Sequence, residues 1–229
     1  MKQNVRKSMY PALCLLLTFA VWTILLGIVD VHEIGPQGSW VGFAALNQFI
    51  HNKTGVNMVL YTITDWLGIV PVGVAFGFAL LGLVQWIQRG HLLKVDRSIL
   101  ILGGFYLVVM AFYVFFEWYV VNFRPVLIDG RLEASYPSST TLLVLSVMPT
   151  LMFQVYRRAV NSMLRKAVAV FVFAFSAFMV IGRLISGVHW ATDIVASVIL
   201  SAGMFMLYRS LVLYVDNAKR GNRNKDGVQ

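Results

Sequence analysis

The chain has 229 residues, of which 59% are hydrophobic and only 13% are charged. Soluble domains carry about 25% charged residues, and a mean hydropathy of +0.74 is more than a soluble core of this size could bury. These values exclude a soluble globular protein and indicate that lipid is part of the solvent. A disulfide within the chain is also excluded, because Cys14 is the single cysteine.

The first apolar run, Tyr10–Val29, is long enough to cross the hydrocarbon layer, which takes about 20 residues at about 1.5 Å per residue. Lys2, Arg6 and Lys7 precede it, as basic residues precede a signal peptide. However, the apolar core of a signal peptide has only about 7–15 residues, and no small-residue cleavage site follows here. We therefore expect a retained first membrane-spanning helix.

Five further apolar runs predict five more spans, and so an all-α, polytopic bundle of six transmembrane helices, because backbone groups in lipid must bond within the segment. The runs are Leu67–Ile87, Ile99–Val121, Ser138–Tyr156, Ala167–Leu184 and Trp190–Leu213. Between the first two spans, Gly35–Trp66 carries apolar residues at helical spacing, which predicts a short helix in the membrane interface. We expect one membrane-embedded domain over residues 1–216 and a disordered polar tail over residues 217–229.

The positions of the basic residues predict the topology. An excess of Lys and Arg marks the cytoplasmic side of a membrane. Here the basic residues are concentrated before the first span, between the second and third spans, between the fourth and fifth spans, and after the sixth span. Both termini are therefore predicted to be cytoplasmic, in the plasma membrane. Because topology and anionic lipid account for the net charge of +9, we expect membrane lipid, and no nucleic acid, as a partner.

The side that should be poor in positive charge holds only Lys53, Arg124, Arg131 and Arg183. Two of these, Arg124 and Arg183, each lie at the end of an apolar span. An arginine near hydrocarbon is costly, by about 2.5 kcal/mol or more at mid-membrane. Either the side chains reach back to the lipid headgroups, or they bind an anionic substrate.

The fourth span opens with Tyr136-Pro137-Ser138-Ser139-Thr140-Thr141. Proline suits the first turn of a helix, and serine or threonine caps its free amides. The same arrangement is a ready anion site. Ser138, Ser139 and Thr140 are therefore candidates for contact with a phosphate, with a plain helix cap as the alternative.

His189 and Asp193 are four residues apart where the sixth span begins, so they are predicted to share a helix face. A carboxylate one turn from an imidazole can fix its tautomer and support its positive charge, as beside a nucleophile or a base. The alternative is a solvated pair at a helix end. We expect the other histidines, His32, His51 and His91, to be ordinary interfacial residues.

Together these patterns resemble the type 2 phosphatidic acid phosphatase family of membrane lipid phosphate phosphatases, over about residues 60–212. The family signature has three motifs: Lys, six residues, then Arg-Pro; Pro-Ser-Gly-His; and Arg, five residues, His, three residues, Asp. Arg183, His189 and Asp193 match the third motif with the correct spacing. Arg124-Pro125 matches the end of the first motif, and Pro137-Ser138 matches the start of the second.

The resemblance implies a metal-independent phosphatase without a cofactor, acting on a lipid phosphate or a prenyl diphosphate at the extracytoplasmic side. His189 would attack phosphorus and become a phosphohistidine, and Asp193 would orient it. The phosphate oxygens would be held by Arg124, Arg183, Ser138, Ser139 and the first turn of the fourth span. Such a site acts by positioning and by charge stabilisation.

Three positions depart from the family pattern. Glu117 stands at the lysine of the first motif, Ser139 at the glycine of the second and Thr140 at its histidine. In the family that histidine protonates the leaving group, and threonine cannot. Our hypothesis is that Glu117 supplies the proton, because burial near a helix end would favour a protonated carboxyl. An ion pair with Arg124, seven residues further on, is the alternative.

Two other functions stay open. The same histidine could pass the phosphoryl group to an acceptor other than water, which would make the chain a phosphotransferase. The departures at Glu117 and Thr140 could instead mark a catalytically weak relative that binds or transports phospholipid.

Overall fold

A computed structural model describes residues 2–226 of the chain, with side chains described for residues 9–218. Within that part, six helical segments are long and apolar enough to cross a membrane. The prediction of an all-α integral membrane protein with six spans is confirmed. The helices are α1 (Lys2–Leu26), α2 (Ala44–Thr54), α3 (Met58–Leu67), α4 (Ile69–Arg89), α5 (Arg97–Trp118), α6 (Ser139–Arg158), α7 (Ser162–Ile185) and α8 (Ala191–Asp226).

The connection between the first two spans contains more structure than the sequence indicates. After α1 a short antiparallel hairpin pairs β1 (His32–Glu33) with β2 (Trp40–Val41), and the expected short helix follows as α2. The second span is longer than predicted, since α3 and α4 form one apolar stretch, Met58–Arg89, interrupted at Gly68. Polar residues conceal α3 in the sequence. One of them, Thr64, is fully buried and bonds to the Leu60 carbonyl within the helix, so it needs no water.

Helix α8 continues to Asp226, whereas the sequence predicts disorder from residue 217 onward. The first part of that segment is therefore helical. Residue 1 and residues 227–229 lie outside the described part, as do the side chains of Lys2, Arg6 and Lys7 and those of the basic residues beyond 218.

The core lies where α1, α5 and α6 pack on α8, with Phe19, Leu102, Leu142 and Leu200 among its buried side chains. A second, smaller cluster joins α6 to α7. Large apolar side chains cover much of the outer surface, as expected for a chain whose solvent is lipid. Examples are Leu17, Phe76, Leu107, Val170 and Phe173.

Small polar residues hold the first turns of α6 and α8 together. The Ser197 hydroxyl lies 2.9 Å from both the Ser138 and the Asp193 carbonyl oxygens. The Ser138 amide donates to the Asp193 carbonyl at 3.3 Å. Small side chains let membrane helices approach closely, and here they bring the second and third motifs side by side.

The turn between α7 and α8 is pressed against the connection between α2 and α3. Asn57 donates its amide to the Ser186 carbonyl at 3.0 Å. Gly187 has a φ of +68°, and a Cβ atom there would lie 1.9 Å from the Gly55 carbonyl oxygen. The turn that carries His189 therefore requires glycine at this position, because of the positive φ and because the backbone lies so close to that of Gly55.

We expect Gly187→Ala to destabilise the protein. The positive φ alone costs about 1–3 kcal/mol in a residue with a Cβ, and the contact with Gly55 adds to it. The control is Gly73→Ala in α4, where a Cβ atom meets nothing within 4 Å and helix propensity improves. Thermal unfolding in detergent should show a lower Tm for Gly187→Ala only; equal midpoints would contradict the requirement.

Candidate active site

One wall of the candidate site is a hairpin-like loop between α5 and α6. Residues 129–130, Asp-Gly, form its tip with positive φ at both positions, the pattern of a tight hairpin turn. Along the loop, Arg124 donates its amide to the Glu133 carbonyl at 3.0 Å, and Ser135 donates to the Asn122 carbonyl at 2.9 Å. This pairing places the side chains of Asn122, Arg124 and Ser135 next to the start of α8.

His189 and Asp193 are connected through Ser135. The Ser135 hydroxyl donates to Asp193 Oδ2 at 2.6 Å and lies 3.0 Å from His189 Nδ1. The prediction that His189 and Asp193 share a helix face is wrong, because α8 begins at Ala191 and His189 lies in the preceding turn. Asp193 is completely buried, and further donors hold it: Asn122 Nδ2 at 3.1 Å and the Trp190 amide at 3.0 Å.

Three contacts define which nitrogen of His189 carries the proton. Nδ1 lies 3.1 Å from the Ser135 carbonyl, which can only accept. The Ser135 hydroxyl proton is directed to Asp193, so that oxygen also accepts from Nδ1. On the other side of the ring, Arg124 Nη1 lies 3.4 Å from Nε2 and can only donate. The neutral imidazole therefore carries its proton on Nδ1, and its unprotonated Nε2 accepts a hydrogen bond from Arg124.

The two predicted arginines converge at the site and are buried, Arg183 to 1% exposure. Both guanidinium groups lie over the Tyr61 ring, at 4.9 Å for Arg183 and 6.0 Å for Arg124. Each also has a carboxylate within ion-pair distance. Asp65 lies 3.6 Å from Arg183 Nη1, and Glu133 lies 3.1 Å from Arg124 Nε.

These ion pairs do not satisfy the arginine donors. Among the described residues, Arg124 Nε, Arg183 Nε and Arg183 Nη1 are buried nitrogens without a hydrogen bond of good geometry. Buried donors are nearly always satisfied in folded proteins, and a guanidinium matches the oxygens of a phosphate. The arrangement is therefore suited to an anionic ligand held in front of His189 Nε2.

The pKa of His189 lies well below its ordinary value of 6.5. Burial is the largest cause, because it penalises the charged imidazolium, and the positive charges of Arg124 and Arg183 act in the same direction. The bond to the Ser135 carbonyl opposes them. His189 is therefore neutral at physiological pH, which keeps Nε2 available as a nucleophile.

Glu117 shares a small cavity of about 10 Å³ with His189, Ser135 and Ser139. This space holds about one water molecule, so a phosphate must displace neighbouring side chains to enter. Glu117 itself is exposed, so the burial expected for it is not found. Nor does it form the alternative ion pair, since Arg124 has Glu133 as its partner.

The three hydroxyl residues at the start of α6 point to different places. Ser138 is completely buried beneath the site, and its hydroxyl donates to Thr141. Thr140 lines a separate apolar cavity of about 280 Å³ together with Asp65 and Gly68. Ser139 alone of the three lines the cavity that contains His189.

Helix α2 supports the site from behind. Asn47 exchanges hydrogen bonds with Thr192, from Nδ2 to the hydroxyl at 3.0 Å and from the Thr192 amide to Oδ1 at 3.2 Å. His51, expected to be an ordinary interfacial residue, packs on Trp190 with ring centroids 5.5 Å apart. Helix α2 thus fixes Trp190 and Thr192, the residues on either side of the first residue of α8.

Sequence reasoning missed Ser135, Tyr61, Asp65 and Glu133. The Asp-Gly pair at residues 129–130 was an available signal, because it marks a tight hairpin turn and would have predicted that Ser135 faces Asn122. Tyr61 and Asp65 carry no such signal, since only the packing of α3 against α7 places them at the arginines.

A neutral histidine, linked through Ser135 to a buried carboxylate, thus lies beside two buried arginines at one end of a six-helix membrane bundle. The chain belongs to the PAP2 superfamily, whose family profile matches residues 98–216, just over half of its length. Among curated protein sequences there is no significant match.

The fold is also similar to a crystal structure described as the first transmembrane PAP2 type phosphatidylglycerolphosphate phosphatase from Bacillus subtilis. The two chains share 17% sequence identity with a TM-score of 0.52, over 91% of this chain and 97% of that chain. At this identity the likeness establishes the fold.

We expect the His189 imidazole to titrate below pH 6.5, and Arg124→Gln to raise its pKa toward that value by removing a nearby positive charge. Arg131→Gln, an exposed arginine in the same loop, is the matched control. The measurement is nuclear magnetic resonance of protein with isotope-labelled histidine, with the His189 signal assigned by its loss in His189→Gln. Titration of His189 at or above pH 6.5 in the wild-type protein would contradict this electrostatic description.

Proposed function

We propose that the chain is a membrane-embedded, metal-independent phosphatase that hydrolyses a lipid phosphate or prenyl diphosphate through a phosphohistidine at His189. The observation that carries the proposal is the unprotonated Nε2 of His189 in contact with Arg124, together with the buried Arg183 nitrogens that lack a hydrogen bond. Membership of the PAP2 superfamily supports phosphatase chemistry. The similarity in fold to a phosphatidylglycerolphosphate phosphatase is consistent with a lipid substrate.

In the first step, His189 Nε2 attacks phosphorus, a bond forms between nitrogen and phosphorus, and the bond to the leaving oxygen breaks with its electron pair. The ring gains positive charge as this happens. Its Nδ1 proton stays bonded to Ser135, whose hydroxyl is bonded to the Asp193 carboxylate. This chain of bonds stabilises the imidazolium and fixes the ring orientation.

The two arginines balance the charge on the phosphoryl oxygens. To reach them, the phosphate must replace Glu133 at Arg124 and Asp65 at Arg183, and both carboxylates lie toward solvent, at 41% and 55% exposure. The Ser139 hydroxyl is the third candidate contact. In the second step water attacks phosphorus, the bond to Nε2 breaks with its electron pair returning to the ring, the proton lost by the water passes to a phosphoryl oxygen, and phosphate leaves.

A lipid substrate fits the surroundings of this site. The apolar cavity of about 280 Å³ between the end of α3, α5 and α6 shares Tyr113, Ser139 and Leu142 with the small cavity at His189. A phosphate at the arginines can therefore extend an acyl or prenyl chain into apolar surroundings without crossing water. The site would face the extracytoplasmic side, as the basic loops at the opposite end of the bundle predict.

Glu117 is the proposed proton donor to the leaving oxygen. It lines the cavity with His189, whereas Thr140, at the position of the family histidine, faces the other cavity. An ionised carboxylate beside a phosphate is unfavourable because like charges repel. Transfer of a proton from Glu117 to the leaving oxygen neutralises that oxygen as the bond breaks.

The first test is phosphate release by purified protein in detergent, with chelator present, from phosphatidic acid, phosphatidylglycerol phosphate and a polyprenyl diphosphate. We expect release from at least one of them, and His189→Ala should abolish it because the nucleophile is gone. His32→Ala, at an exposed histidine of the first connection, should retain full activity. Radiolabelled substrate should leave an acid-labile phosphoryl group on the wild-type protein only.

The outcomes distinguish the alternatives. Labelling of His189 without phosphate release would indicate a phosphotransferase that lacks its acceptor in the assay. Neither labelling nor release, in protein shown to be folded, would replace the proposal with phospholipid binding or transport. Release that depends on added metal would contradict metal independence.

For Glu117→Gln we expect kcat to fall by about 10²–10⁴-fold, the usual contribution of a general acid. The loss should be smaller with a substrate whose leaving group needs no proton, such as a nitrophenyl phosphate. Glu33→Gln is the control, at an exposed glutamate of the first connection. Full turnover of lipid substrate by Glu117→Gln would remove Glu117 from the mechanism.

A further inference from the structure

A second polar cavity lies at the opposite end of the bundle from His189. Helix α5 separates the two ends; its 22 residues span about 33 Å at 1.5 Å each. The cavity has a volume of about 500 Å³ and lies between the α4–α5 connection, the end of α6 and the distal part of α8. Its charged lining consists of Arg89, Lys94, Arg97, Arg157, Arg158, Asp96 and Asp216.

Hydrogen bonds hold several of these side chains in place. Asp96 accepts from Arg89 Nη1 at 2.9 Å and from Gln85 Nε2 at 3.0 Å, and it lies 3.5 Å from Arg158 Nη2. Arg157 Nη1 lies 2.7 Å from Asp216. Two carboxylates thus face five basic side chains, and the cavity keeps an excess of positive charge on an ordered framework.

An apolar groove of about 450 Å³ continues from this cavity along α4 and α5, and Val95 lines both spaces. Glycines open the groove, since a Cβ atom at Gly103 or at Gly104 would meet nothing within 4 Å. Trp86, 46% exposed, lies along it. Tryptophan is typical of the level of the lipid headgroups.

We propose that the cavity and the groove together bind one anionic phospholipid, with its phosphate among the arginines and an acyl chain between α4 and α5. The two spaces adjoin in the order in which a phospholipid carries its headgroup and chain. A free phosphate would leave the groove without a ligand. A zwitterionic lipid would bring its own positive charge into a cavity that already has an excess.

The test is lipid binding to the purified full-length protein by native mass spectrometry, with dioleoylphosphatidylglycerol and dioleoylphosphatidylcholine titrated separately. We expect tighter binding of the phosphatidylglycerol. Arg97→Gln should raise its Kd roughly fivefold, the effect of removing one basic residue beside anionic headgroups, and leaves the ion pairs of Asp96 and Asp216 intact. Gly104→Leu should weaken binding by filling the groove.

Matched controls keep the proposal falsifiable. Lys166→Gln removes an exposed charge from the same end of the bundle outside the cavity. Gly77→Leu fills open space on α4 outside the groove. Both should bind phosphatidylglycerol as the wild type does. Circular dichroism establishes that all four variants are folded.

Three outcomes would overturn the proposal. Equal binding of the two lipids would remove the role of the positive charge. Equal losses of phosphatidylglycerol affinity in Arg97→Gln and Lys166→Gln would mean that the binding is unspecific attraction to the charged surface. If inorganic phosphate displaced the lipid and Gly104→Leu bound the lipid normally, the ligand would be a free phosphate and the groove would have no role in binding.

Discussion

The structure of the site depends on one buried charge, the Asp193 carboxylate in the first turn of α8. A carboxylate without solvent is costly unless hydrogen bonds surround it, and this one receives donors from Ser135, Asn122 and the Trp190 amide. Two of these come from the loop between α5 and α6. Satisfying Asp193 therefore pulls that loop onto α8, and the same contacts bring Arg124 to His189.

The features predictable from the sequence were local ones. The length of the apolar runs predicts the six spans. Arg183, His189 and Asp193 could be found because they lie close together in the sequence. Ser135 was not found, because its role arises from pairing across a hairpin and not from distance along the chain. The sequence places α3 in the segment Gly35–Trp66 that is predicted to be interfacial, whereas in the structure α3 continues into the apolar stretch of α4; Thr64 bonds within the helix and Asp65 lies beside Arg183.

Two of the three residues that depart from the motifs of the resemblance lie on different helices and line different, adjoining cavities. Thr140 lines the apolar cavity with Asp65 and Gly68, near the junction of α3 and α4, and Glu117 at the end of α5 lines the cavity of His189. Glu117 is acidic and Thr140 is not ionisable, so the anion-binding charge among the described residues of the site is that of Arg124 and Arg183, and both of these side chains are buried.

The carboxylates beside these arginines affect more than substrate entry. Glu133 and Asp65 are tethered to the chain, so each returns to its arginine at a high effective concentration once a phosphate group loosens. Phosphate binding as proposed is therefore an exchange of one anion for another, with a smaller net gain in free energy than binding to bare arginines would give. In the proposed reaction the same exchange would assist departure of inorganic phosphate after hydrolysis, and it would make the site resistant to inhibition by its own product.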